Sequence, residues 1–103
     1  MPKYIIKMSD EKRDFYLEWS TVVDAPTTFG MSLDEFKDFY RQEYGNQEMQ
    51  QLPQRLERVE RTGSSEHGKT LDDVLIANRA GKNETEISKA EIFRKYCIER
   101  PSK

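Results

Sequence analysis

The sequence predicts a single α+β domain, with a β-hairpin or small antiparallel sheet at the N-terminus followed by about four short helices. Three observations carry this. Tyr4–Met8 and Asp14–Val23 are rich in β-branched and aromatic residues and are separated by the polar, turn-like Ser9–Arg13. Two capping-box patterns, Ser32/Glu35 and Ser88/Glu91, each open an apolar helical repeat. With 103 residues and no repeated period, the chain has room for one core, so residues 1–103 are read as one domain.

The hairpin comes first. In its second strand Phe15, Leu17, Trp19, Thr21 and Val23 share one face, while Tyr16, Glu18, Ser20 and Val22 share the other. The first set reads as core and the second as mixed. Pro26 has no N–H to give a ladder and biases Ala25 away from helix, so pairing is expected to stop near Asp24. Thr27–Met31 then reads as a short edge strand.

The helices follow in order. Ser32 and Glu35 start one that carries Phe36, Phe39 and Tyr40, with Gly45 as its stop. Leu52, Leu56 and Val59 recur at i, i+4 and i+7 in a helix with Pro53 in its first turn and Gly63 at its end, and Arg55, Arg58 and Arg61 lie along another side. Thr70 and Asp73 frame a short helix with Leu71, Val74 and Leu75, which Gly81 is expected to end in a left-handed cap. Ser88 opens the last helix, carrying Ile92, Phe93, Tyr96 and Cys97 and stopping before Pro101.

Composition narrows function. The formal net charge of -2 gives no general attraction to a polyanion, so neither DNA nor RNA is an expected partner. No apolar run approaches the roughly 20 residues that span a bilayer, and no membrane association is expected. Cys97 is the sole cysteine, and Met1–Ser20 lacks a charged-then-apolar leader, which reads as a cytosolic protein.

Gly63–Thr70 matches the phosphate-loop pattern G-x-x-x-x-G-K-[ST]. Its context argues against nucleotide hydrolysis. The preceding LPQRLERVER has helical periodicity and high charge where a buried strand is required, and too few residues follow for the remaining parallel strands. The segment reads instead as a Gly/Ser surface loop leading into the Thr70 cap. Metal and nucleophilic chemistry also find little footing: His67 is the only histidine, Cys97 reads as a small core hydrophobe, and Asp72/Asp73 suit the start of a helix. Neither enzyme activity nor a cofactor is expected.

Two segments hold candidate binding residues. Ser20, Thr21, Thr27 and Thr28 place four hydroxyls beside Asp24 at a chain reversal, either as turn chemistry or as a ligand edge. Trp19 on the same segment could offer a stacking face. Asn78 and Arg79, near Gly81–Thr85, form the second segment, either a solvated helix end or a phosphate contact.

Trp19–Thr28, Leu52–Val59 and Asn78–Gly81 with Asn83–Thr85 resemble a family of small accessory proteins of tailed bacteriophages, over roughly Tyr16–Ile98. Among such proteins are the anti-CBASS sponges, which sequester cyclic nucleotide messengers of anti-phage immunity. The resemblance implies a homo-oligomer, dimer or tetramer, that binds a cyclic dinucleotide such as cGAMP in the host cytoplasm without cleaving it. Arg79 would meet phosphates, Trp19 or Tyr16 would stack on a base, and Ser20, Thr21, Thr27, Thr28 and Asn78 would supply hydrogen bonds. A small phage inhibitor that docks directly on a host defence protein is the alternative.

Overall fold

A computed structural model describes residues 3–66 and 68–99. His67 and the expected helix stop at Pro101 lie outside them. The chain forms a three-stranded antiparallel sheet followed by four helices, as the sequence predicts. Strand β1 (Lys3–Ser9) pairs with β2 (Asp14–Ser20) from Lys3↔Ser20 to Ser9↔Asp14. The turn between them is an Asx turn: the Asp10 carboxylate accepts the amides of Lys12 and Arg13 at 2.8 and 2.7 Å.

Strand β2 ends three residues sooner than expected. The Ser20 hydroxyl accepts the amides of Val22 and Val23 at 3.2 and 3.4 Å, and Asp24 turns left-handed at φ 54°. A tight turn therefore takes Val22 and Val23 out of the sheet. Pro26 was expected to end pairing, yet β3 (Ala25–Pro26) pairs with Ser20 and Trp19. The Thr27 amide donates to the Glu18 carbonyl at 2.7 Å beside the proline, and on so short an edge strand the missing N–H is tolerated. Of the expected Thr27–Met31 strand only Met31 bridges, exchanging two hydrogen bonds with Tyr16.

Helix α1 (Leu33–Met49) has both capping-box bonds between Ser32 and Glu35, and Gly45 at φ 86° breaks it before a last helical turn. Helix α2 (Leu52–Thr62) begins with Pro53 and closes on the left-handed Gly63, whose amide donates to the Val59 carbonyl at 2.7 Å. Helix α3 (Leu71–Leu75) has the Thr70/Asp73 box but ends at Ile76, well before Gly81, because Ala77 at φ 57° is left-handed. Gly81 itself has an ordinary φ of -84°. Space is what it provides, since a Cβ there would lie 2.6 Å from both Ile87 Cγ2 and Thr85 Oγ1. Helix α4 (Lys89–Phe93) passes into one π turn over Arg94–Ile98.

The sheet is buried on both sides, so the face read as mixed is a second core. Ile6, Met8, Phe15, Leu17 and Trp19 pack with Leu71, Val74, Leu75, Ile92 and Cys97. Ile5 and Tyr16, on the opposite face, pack with Phe36 and Tyr40 of α1 and Leu52 and Val59 of α2. Each fully buried large apolar side chain contributes about 1.5–3 kcal/mol relative to exposure.

The stretch expected to be a surface loop, Gly63–Ser65, instead covers the outer edge of β1. Ser64 and Ser65 are buried, Lys7 N–H donates to the Gly63 carbonyl at 3.0 Å, and Ser65 N–H donates to the Ile5 carbonyl at 2.9 Å. Backbone pairing on β1 pulls this segment inward and shields the edge.

Candidate interaction site at Arg79

Burial decides what the eight residues singled out in the sequence can do. Trp19 is 1% exposed and packs within the first core, so it has no open face for a base to stack on. Tyr16 is equally enclosed, and its hydroxyl donates to Glu60 Oε2 at 2.6 Å while Lys7 Nζ holds Oε1 at 2.6 Å. Burial, with the Glu60 hydrogen bond next, pushes the Tyr16 phenol well above its ordinary value.

The hydroxyls serve the local fold. Ser20 caps the turn described above, Thr27 Oγ1 donates to Glu18 Oε1 at 2.9 Å, and Thr28 Oγ1 accepts the Glu18 amide at 3.1 Å. Glu18 is a buried carboxylate that also accepts the Tyr44 hydroxyl and lies 3.5 Å from Lys3 Nζ. Thr21 is half-buried at the start of the turn.

Asn78 is 2% exposed and works as an internal staple. Its amide nitrogen donates to the carbonyls of Leu75 and Ile87, at 2.9 and 2.8 Å, and its oxygen accepts the amides of Ala80 and Ile87, at 3.2 and 3.1 Å. Two donors and two lone pairs are thereby used, which is the full capacity of the side chain.

Arg79 is different. Its backbone amide donates to the Asp24 carbonyl at 2.8 Å, and its Nη2 donates to the Val22 carbonyl at 2.8 Å. Nε lies 3.3 Å from Asp24 Oδ2 and Nη1 lies 3.5 Å from Glu84 Oε1. The structure thus brings Arg79 onto the Ser20–Asp24 turn within one chain, as a half-exposed clamp between two loops. Its guanidinium is already opposed by two carboxylates, and a phosphate would have to displace them.

Backbone strain gathers at the same place. Among the described residues, the non-glycine residues with positive φ are Asp24, Ala77, Asn83 and Glu84, at 54°, 57°, 58° and 60°. Two of them contact Arg79 directly and Ala77 precedes it by two residues. Aspartate and asparagine tolerate this conformation, but for alanine and glutamate it costs about 1–2 kcal/mol each. Strain held in this way concentrates at functional sites.

Large apolar side chains close in sequence to the clamp residues are exposed. Val22 is 66% exposed, Val23 46% and Ile76 71%. The sequence reading placed both valines in a strand, and nothing in the local pattern marks Ile76, because its exposure follows from the early end of α3. The Asp24-Ala25-Pro26 sequence and the hydroxyls around it were the available signs of a turn here.

Among the described residues of the phosphate-loop pattern, six backbone amides are already taken. The amides of Gly63, Ser64, Ser65, Glu66, Lys69 and Thr70 donate to Val59 O, Thr62 Oγ1, Ile5 O, Ser64 Oγ, Glu66 O and Asp73 Oδ2 respectively. Lys69 Nζ lies 5.9 Å from the Tyr4 ring centroid. Cys97 is buried and forms no disulfide. No helix among the described residues is long and apolar enough to cross a membrane.

Searches against protein-family models, curated proteins and solved structures found no match to this chain.

Proposed function

We propose that the chain acts by binding a folded protein through the Arg79 clamp, holding its target without converting it. In the setting that the resemblance suggests, it is a phage inhibitor of a host defence protein, working in the host cytoplasm and without a cofactor. One observation carries the reading. Two loops 57 residues apart in sequence are locked together at Arg79 while Val22 and Ile76 remain largely exposed. Exposed apolar side chains next to loops held by hydrogen bonds lose little freedom on docking, and arginine is enriched among the residues that dominate interfaces. A dimer or tetramer would display two or four copies of this surface.

Sequestration of a cyclic dinucleotide draws less support from the same residues. Trp19 and Asn78 are enclosed, and Asp24 and Glu84 already pair with Arg79. Calorimetry with cGAMP and other cyclic dinucleotides separates the two readings. The docking reading expects no heat at micromolar concentrations. Heat that disappears in Arg79→Ala would overturn it in favour of the sponge.

A further inference from the structure

Arginine keeps its charge at any pH a protein meets, so a half-buried guanidinium with no counter-charge carries a cost that an anionic ligand can remove. Arg13, Arg41, Arg79 and Arg94 each pair with a carboxylate. The three arginines of α2 do not. Arg55, Arg58 and Arg61 form no ion pair with a carboxylate among the described residues, although Arg55 and Arg58 are half-buried.

Neutral groups hold two of them in place instead. Arg55 Nη1 donates to the Tyr40 hydroxyl at 2.8 Å and Nη2 to the Lys3 carbonyl at 2.9 Å, while Arg58 Nε donates to the Ser65 carbonyl at 2.7 Å. Nη1 and Nη2 of Arg58 have no acceptor among the described residues. That leaves open the fork with which arginine grips an oxyanion through two parallel hydrogen bonds.

Gln51, Gln54, Arg55 and Arg58 stand at i, i+3, i+4 and i+7, so they share one face at the start of α2. With Glu48 from the end of α1 they line a cleft of about 210 Å³. Drug-sized ligands occupy roughly 300–1,000 Å³, so this cleft suits a single small oxyanion. Its lining carries two positive charges and one negative charge. The half-buried Glu48 carboxylate accepts no hydrogen bond and forms no ion pair among the described residues. In such a site a carboxylate accepts the proton of an anion that has one and repels an anion that has none.

We infer that this cleft binds a phosphoryl group that keeps a proton, with its charged oxygens on the Arg58 fork and Arg55 and its P–OH turned to Glu48. Inorganic phosphate and the phosphate of a phosphomonoester share this chemistry. Sulfate has the same shape and lacks the proton.

The test is calorimetry on the full chain in mildly acidic buffer, with inorganic phosphate, O-phosphoserine and sulfate as probes. Phosphate is expected to bind about tenfold more tightly than sulfate. O-phosphoserine that binds as tightly as phosphate identifies a phosphorylated side chain as the source, and its exclusion identifies the free ion. Arg58→Gln should weaken phosphate binding by about tenfold or more with an unchanged circular dichroism spectrum. Glu48→Gln, which removes no contact within the chain, should erase the preference over sulfate. Millimolar phosphate that gives no heat, or equal binding of phosphate and sulfate by the unmodified chain, would overturn the inference. Arg79, Val22 and Ile76 do not line the cleft, so either result leaves the docking reading standing.

Discussion

The two faces of the sheet are both buried, yet they are held by different chemistry. The face bearing Ile6, Leu17 and Trp19 is closed by apolar contact with α3 and α4. The opposite face is aromatic, and its hydroxyls end on charged groups: Tyr16 on Glu60, Tyr44 on Glu18, and Tyr40 with Arg55 Nη1 at 2.8 Å. One face depends on filled volume. The other depends also on every buried polar atom finding its partner, and no buried side-chain polar atom among the described residues lacks one.

The largest expected effect falls on the apolar face. Trp19→Ala should cost about 3–5 kcal/mol in urea denaturation, through lost burial and the cavity left behind. On the polar-edged face, Glu18→Ala removes the acceptor for the Thr27 and Tyr44 hydroxyls and should cost about 1–3 kcal/mol in the same assay. If Glu18→Ala proved the more damaging of the two, the contrast between the faces would be wrong. At the clamp the sign reverses: Ala77→Gly relieves a left-handed alanine and should raise stability by about 1 kcal/mol.

The smallest effect concerns pH. The hydrogen bond from Lys7, and then that from Tyr16, holds the Glu60 carboxyl below its ordinary value of 4.5. A lowered folded value means that the stabilisation is fully present above the ordinary value and is lost as pH falls through the lower, folded one. Glu60 is about half exposed, so solvent screening keeps the effect small. The stability gap between the unmodified chain and Glu60→Gln should be constant at neutral pH and close in acid. A gap that persists unchanged in acid would remove the ion pair from the account.

Local signals in the sequence were enough for the hairpin and for the helix starts, though not for where β2 and α3 end. The Ser32/Glu35 and Thr70/Asp73 patterns became real capping boxes, and Pro53 and Gly63 bracket α2 as expected. What escaped depends on distant partners. Tyr16 and Glu18 sit on a face that reads only as mixed until Glu60 and Tyr44 are brought to them by two helices. Ser64 and Ser65 look like loop until β1 pairs with them. At the site, the meeting of Arg79 with the Ser20–Asp24 turn was raised by the sequence, but its character was not legible. Whether Arg79 faces a ligand or an internal acid depends on the backbone turning at Asp24 and Glu84, and neither position carries glycine.

The central claim, that Arg79 sets a protein-docking surface, is most directly tested by site-specific photo-crosslinking in the cells where the chain acts. The probe is placed in turn at Val22, at Ile76 and at the exposed Asp38 of α1 as a control. The account predicts one discrete protein adduct from Val22 and Ile76, none from Asp38, and its loss when Arg79→Ala is added. The absence of an adduct at the clamp, or the same adduct from all three positions, would contradict it.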